Sequence, residues 1–321
     1  MTEALPSTGT PPWEISNSEI QTFKHCRRRW YLSYYRALQP KDRAPSHVGP
    51  LALGTRVHEA LDRSYKQDES FDNLLTIYAE LVAEDTKKAW ADGADIGEFD
   101  RECELGRRML EGFQEWADET GFNADYELLD TEILLSAELI PDEVVLKGKI
   151  DMRMRRRSDG TIEIRDWKTT ANFADFEGTA HMSEQVLTYM LLSRMNQEPG
   201  DRPVDRGVFT LLKKVRRTAA AKPPFFKQVT VAHNENALKA FYWRLVGTAR
   251  DMLRVKKALD AGGDHLIEAY PTVSRECTWI CPFFQYCYMM DDGSDYEQAL
   301  ADNFQKHNPY DYHEPRKTEP K

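Results

Sequence analysis

A mixed α/β core, with a central sheet flanked by helices, is the architecture the order of sequence patterns predicts. Three observations carry it. Up to about residue 120, apolar positions recur at helical spacing. From Tyr126 the pattern changes to strand-like runs at Glu127–Leu139, Val144–Arg157 and Thr161–Lys168, with Ser158-Asp159-Gly160 as a hairpin turn between the last two. Helical and strand-like segments then alternate until a cysteine-rich segment closes the pattern.

Taken in order, residues 1–13 are rich in Pro, Thr and Gly and read as a disordered N-terminus. Ser16 or Ser18 caps a helix that runs through Ile20, Phe23 and Cys26 to about Tyr35. A loop containing Pro40, Pro45 and Pro50 leads to helices at roughly 51–66, 70–92 and 98–120, so residues 14–125 form a helical N-terminal region. Residues 126–272 form the core: the three strands, a helix at about 179–196, strands at 206–217 and 225–232, and a long helix from Asn234 to about Ala261. Residues 273–291 are the cysteine segment, and the polar run from 292 to 321 reads as a flexible tail.

Composition sets bounds. The 321 residues are 41% hydrophobic and 30% charged, the balance of a globular protein with room for one large domain or two small ones. No apolar run is long enough to cross a bilayer. The opening MTEALPSTGTPPWE lacks a basic start followed by an apolar stretch, so no secretion signal is expected and the cytoplasm is the expected location. A net charge of −10 argues against non-specific coating of nucleic acid and leaves room for local basic patches. Three exist: Arg27, Arg28 and Arg29; Arg153, Arg155, Arg156 and Arg157; and Lys213, Lys214, Arg216 and Arg217. No GxxxxGK[ST] occurs; Gly49 and Gly54 are followed by Thr55 and Arg56, so a nucleotide-driven motor is not expected.

The run GKIDMRMRRRSDGTIEIRDWKTT carries the chemistry. Asp151 falls within one strand, and Asp166 and Lys168 at the end of the next. Side chains alternate along a strand, so Asp166 and Lys168 share a face and Trp167 takes the other. The hairpin sets Asp151 on the neighbouring strand, where its carboxylate meets that of Asp166. A hard divalent cation relieves the repulsion between such acids, and Mg²⁺ or Mn²⁺ suits oxygen donors. The Trp167 carbonyl adds a donor, and His58 in GTRVHEAL an imidazole. Lys168 can orient an attacking water and stabilise charge on a phosphate. Gln185 and Tyr189 lie four apart on the following helix and project from one face. Glu132 is a weaker acidic candidate on the preceding strand.

Four of the five cysteines have ligand-like spacing: Cys26 stands alone, and Cys277, Cys281 and Cys287 crowd into CTWICPFFQYC. Four thiolates suit zinc or an iron–sulfur cluster and would staple a loop of some 250 residues in the chain. Cys103 sits in a helical pattern and reads as a core residue.

Together, His58, Gly148 and Asp151 of GKID, Asp166 and Lys168 of DWK, Gln185 and Tyr189 of QVLTY, and the opening SNSEIQTFKHCRRRWYLSY resemble a RecB-like nuclease of the PD-(D/E)XK superfamily. The similarity spans residues 16–290 and is to the iron–sulfur members, which include AddB-type nuclease domains and CRISPR-associated RecB-like exonucleases. The resemblance implies a restriction-endonuclease-like sheet, Mg²⁺- or Mn²⁺-dependent DNA cleavage from single-stranded ends, and products with a 5′-phosphate and 3′-hydroxyl. It implies a [4Fe-4S] cluster on Cys26, Cys277, Cys281 and Cys287, and a place in DNA repair or recombination beside a helicase or recombination partner. Arg27, Arg28, Arg29, Arg153 and Arg155 are then expected to guide DNA. Two departures stand out: Cys277 and Cys281 are separated by three residues instead of two, and Asp166 stands where Glu is common. Two other readings remain open: a DNA-binding recombination accessory without turnover, and the same nuclease with structural zinc.

Overall fold

The computed structural model describes residues 11–41, 48–67, 71–91, 93–204, 206–218 and 220–311. Its elements run as β1 (Trp13–Ser16), α1 (Asn17–His25), α2 (Arg27–Trp30), a π-helical turn (Tyr31–Tyr35), β2 (Leu38–Pro40), α3 (Pro50–Gln67), α4 (Leu74–Ala91) and α5 (Ile96–Thr120). The strands β3 (Tyr126–Ile140), β4 (Val144–Arg156) and β5 (Ile162–Thr170) follow, then α6 (Phe173–Ala180), α7 (Glu184–Met195), β6 (Arg206–Lys213), β7 (Phe226–Ala232) and α8 (Glu235–Asp260). The chain continues through four one-turn helices, α9 (His265–Glu268), α10 (Cys277–Ile280), α11 (Phe284–Cys287) and α12 (Met289–Asp292), to α13 (Tyr296–Asn303) and β8 (Phe304–Lys306). The main sheet is mixed, in the order β1-β4-β5-β6-β7 with β3 also paired to β4, and helices flank it as expected. Among the described residues no helix is long and apolar enough to cross a membrane.

The chain divides into two units, each assembled from several segments. The first comprises Met1–Lys41, Leu135–Gly148 and Asn236–Lys321. Here β1 runs parallel to β4, Trp13 opposite Val144 and Ser16 opposite Lys147. Trp13 therefore opens a strand where disorder was expected, because its partner lies far away in sequence; residues 1–10 fall outside the described set. Ser16 Oγ accepts the backbone N–H of Glu19 at 3.2 Å and starts α1. The single helix expected to reach Tyr35 is broken at Cys26, whose backbone is extended and whose Sγ accepts the N–H of Arg29 at 3.5 Å. A flexible tail was expected from residue 292, yet α13 and β8 form there, and β8 pairs antiparallel with β2. Phe304 is buried against Phe283 and Tyr286, which ties this segment down; residues 312–321 lie outside the described set.

The second unit comprises Asp42–Leu134 and Lys149–Glu235. β4 and β5 pair antiparallel, β5 and β6 parallel, and β6 and β7 antiparallel. The parallel step requires a crossover, supplied by α6 and α7. The helix expected over 179–196 is α7, which Ser183 Oγ caps, and an additional helix, α6, capped by Asn172 Oδ1, precedes it. Strand β6 ends at Lys213, short of the expected 217. One face of the sheet carries Met152, Met154, Trp167 and Leu212, all buried with Leu53, Val57, Leu61, Leu110 and Phe113 of α3 and α5. On the opposite face, a Cβ at Gly207 would lie 2.7 Å from Val186 of α7, and Phe209 packs edge-on against Phe176 of α6 at 4.7 Å. Gly207 is thus what lets α7 approach the sheet.

Phe113 is fully buried and meets the rings of Phe71, Trp116, Phe122, Trp167 and Phe226. Phe113→Ala should lower unfolding free energy by about 3–5 kcal/mol, read by urea denaturation.

Candidate active site

Pairing fixes which residues meet. Met152 lies opposite Arg165 and Arg153 opposite Ile164; the same register, carried one residue on, sets Asp151 opposite Asp166. Arg153, Ile164 and Gly207 share a level of the sheet, so Asp151, Asp166 and Lys168 fall on the face that α7 covers. Trp167 points the other way and is buried against Phe113 at 5.5 Å between ring centroids.

The two acids cannot both be comfortably ionised. Burial pushes the Asp151 carboxyl well above the ordinary carboxylate range, and the charges of Asp166 and Asp62 and a hydrogen bond with Asp166 add to it. Asp166 is 4% exposed. Lys168 Nζ lies 2.5 Å from the buried Asp166 Oδ2 in a tight ion pair. Burial works against the Lys168 ammonium, but the Asp166 and Asp151 carboxylates outweigh it and raise its pKa. Lys168 therefore holds its proton and cannot serve as a general base near neutrality.

On α3, Gly54, His58 and Asp62 fall four residues apart and form one stripe. Gly54 lets the helix come close to β5, since a Cβ there would sit 3.3 Å from Thr169 Oγ1. Burial presses the His58 pKa down to about 4, with Asp166 opposing and Lys168 assisting, so its imidazole is neutral and keeps a lone pair.

Asp62 escaped the reading of the sequence. Its Oδ1 accepts the Trp167 Nε1 hydrogen at 3.0 Å. Burial raises its pKa to about 8, and Glu132 is the next cause. The only available signal was its spacing four residues after His58. Glu132 sits in β3 with φ at +50°, the left-handed region that a non-glycine residue rarely adopts, and its carboxylate pairs with Lys149 at 2.6 Å.

Gln185 Nε2 donates to Tyr189 Oη at 3.1 Å, so the two side chains meet on one face of α7. Among the described residues, no three His, Cys, Asp or Glu side chains close to the range of a single metal ion. The structure brings together Asp151, Asp166 and Lys168; His58 is near enough for their charges to act on it but does not complete a ligand group.

Four of the arginines expected to guide DNA carry acidic partners. Arg28 is 2% exposed and clasps Asp291 through two 2.8 Å hydrogen bonds. Arg27 pairs with Asp251 and lies over the Phe23 and Tyr270 rings. Arg153 donates to Asp130 at 2.9 Å, and Arg155 to Glu127 at 2.9 Å and Asp201 at 3.3 Å. These four charges are already neutralised by acids remote in sequence. Arg29 is half-buried, and its charge acts on Cys281.

In the first unit, Cys281 lies within electrostatic reach of Cys26 and Cys277, and Cys287 within reach of Cys26. Burial raises the Cys281 thiol pKa, with Cys26 and Cys277 adding, and burial likewise raises that of Cys287, with Cys26 adding. Backbone N–H groups of Arg29 and Thr272 point to Cys26 Sγ at 3.5 and 3.4 Å, and that of Ser274 to Cys277 Sγ at 3.4 Å. Arg28 Nη1 donates to the Cys287 carbonyl at 2.9 Å and lies 3.6 Å from its Sγ. Cys103 is buried beside Ala89 and Phe99, as a core residue should be.

An acid on each of two paired strands, with a lysine two residues beyond the second, is the motif of metal-dependent nucleases. The chain belongs to the PD-(D/E)XK nuclease superfamily, whose family model matches residues 14–288. No curated protein matches it significantly in sequence. Among solved structures, a protein from Eubacterium rectale provisionally named an exonuclease is 13% identical, with 85% of this chain and 87% of that chain covered and a TM-score of 0.49. A second, SSO0001, is 13% identical over 86% of this chain and 87% of its own, with a TM-score of 0.32.

Two outcomes follow from the site. A carboxyl whose pKa is raised on folding favours the fold at pH below its unfolded value and loses that contribution as pH rises toward its folded value. In metal-free protein, Asp151→Asn should therefore raise the melting temperature at pH 8 and change it little at pH 4. Asp62→Ala should cost about 1–3 kcal/mol in urea denaturation by orphaning the buried Trp167 N–H, and Asp62→Asn, which keeps an acceptor, should cost less.

Proposed function

We propose that this chain is a divalent-metal-dependent DNA exonuclease that hydrolyses phosphodiesters at strand ends. The observation that carries the catalytic part is the placement of Asp151 opposite Asp166 with Lys168 on the same face. The donor set fits a hard cation: an acid that burial and repulsion drive to keep its proton, a buried Asp166 carboxylate beside it, and a neutral His58. Asp151 and Asp166 would hold Mg²⁺ or Mn²⁺, with His58 and the Trp167 carbonyl as further donors. Such an ion, when bound, lowers the pKa of its water and polarises the phosphorus centre.

The chain's own groups do the rest. Lys168 keeps its ammonium, hydrogen-bonds the attacking water and meets negative charge as it builds on the phosphate. The Gln185–Tyr189 pair steadies the scissile phosphodiester. Action on single-stranded ends, and products with a 5′-phosphate and a 3′-hydroxyl, come with the resemblance to RecB-like nucleases. In the first unit, Cys26, Cys277, Cys281 and Cys287 carry a [4Fe-4S] cluster with a structural role. Backbone N–H groups directed at Cys26 and Cys277, and Arg28 beside Cys287, suit thiolate ligands. The presence of both acids and the lysine disfavours a non-catalytic accessory.

Lys168→Ala should fold and bind DNA but lose roughly 10²–10³-fold in cleavage rate, measured on end-labelled strands with Mn²⁺; full activity in that variant contradicts the assignment. Cys281→Ala should abolish visible absorption of anaerobically purified protein and lower its melting temperature. A colourless wild type rich in zinc would replace the cluster with a zinc staple.

A further inference from the structure

Arg27, Arg28, Arg153 and Arg155 are paired with acids, and the second unit carries a further cationic surface. Strand β6 runs parallel to β5, with Leu211 opposite Lys168 and Lys213 opposite Thr170. Register partners in a parallel pair point to the same side of the sheet, so Lys213 shares the face of Asp166 and Lys168. It stands two residues further along, roughly 6.6 Å at strand rise. The backbone continues in a fixed path: the N–H of Lys214 donates to the Thr170 carbonyl at 2.8 Å, and that of Thr218 to the Arg216 carbonyl at 2.8 Å. Lys213 Nζ hovers 5.9 Å from the centroid of Phe173, the first residue of α6. Arg217 turns away to pair with Glu115 of α5 at 2.7 Å. No ion pair engages Lys213, Lys214 or Arg216 among the described residues, and Arg216 is exposed.

We propose that Lys213, Lys214 and Arg216, with the Phe173 ring beside Lys213, form the track along which the phosphodiester backbone of a single strand enters the site. This rests on the nuclease reading and adds the path of the substrate. The three cations follow one another where the catalytic strand ends, Lys213 on its own face, and can meet phosphates just beyond the scissile one. Phe173 offers a ring on which a base can stack. Sequence-independent binding of this kind is salt-dependent, with a slope near 0.7 per phosphate contact for single strands.

The test is binding of a fluorescein-labelled single-stranded oligonucleotide in EDTA, across a salt series, by the full chain and by the combined variant Lys213→Gln, Lys214→Gln, Arg216→Gln. The track predicts a Kd weakened at least ~10-fold at low salt and a slope smaller by about 2, with an unchanged melting temperature. A control losing the same number of charges on α4 and α5, Lys88→Gln, Arg107→Gln and Arg108→Gln, should bind like wild type. If the combined variant does not fold, Arg216→Glu alone, at an exposed position, should weaken binding and reduce the slope. Unaltered affinity and slope in a folded variant overturn the track, as does a wild type that binds no strand. Cleavage by wild type in Mn²⁺ is scored separately. A wild type that cuts while the variant binds normally sinks the track alone; one that binds through the track without cutting sinks the catalytic reading alone.

Discussion

The antiparallel register of β4 and β5 is the constraint on which the rest of the second unit depends. It sets Asp151 opposite Asp166 and, by parity, puts Lys168 on their face and Trp167 on the other. A slip of one residue would carry Asp151 to the apolar face and Met152 to the polar one. The slip is opposed from both sides of the sheet. Trp167 is locked among Phe71, Phe113 and Phe122 and hydrogen-bonded to Asp62, while Gly207 admits Val186 on the opposite face. The aromatic core therefore positions polar residues it never touches.

Holding two acids at this place works against the fold. Burial and mutual repulsion raise the Asp151 pKa, and Asp62 and Glu132 add further negative charge nearby. Lys168 compensates only in part. On the proposed reading, a divalent cation would relieve this repulsion and so couple folding of the site to loading with metal. The neutral state of His58 follows from the same enclosure.

The strand pattern and hairpin turn were legible because alternation and turn chemistry are local, and GKID and DWK could be placed on adjacent strands from them alone. What stayed hidden depends on contacts between distant residues. β1 is four residues long and gains its identity from Val144–Lys147. β8 exists through β2, so a polar run that looked flexible is ordered as far as the described residues reach. Asp62 is chemically silent until Trp167 meets it. The arginine clusters read as open basic patches because Asp130, Glu127, Asp251 and Asp291, which neutralise them, lie far away along the chain.

The central claim is that Asp151 and Asp166 share a divalent cation. Anomalous diffraction from a crystal soaked in MnCl₂ tests it most directly. The account predicts a manganese peak between the two carboxylates, with Lys168 shifted from Asp166 toward a bound water. Carboxylates that keep their mutual hydrogen bond, with no peak between them at saturating manganese, would contradict it.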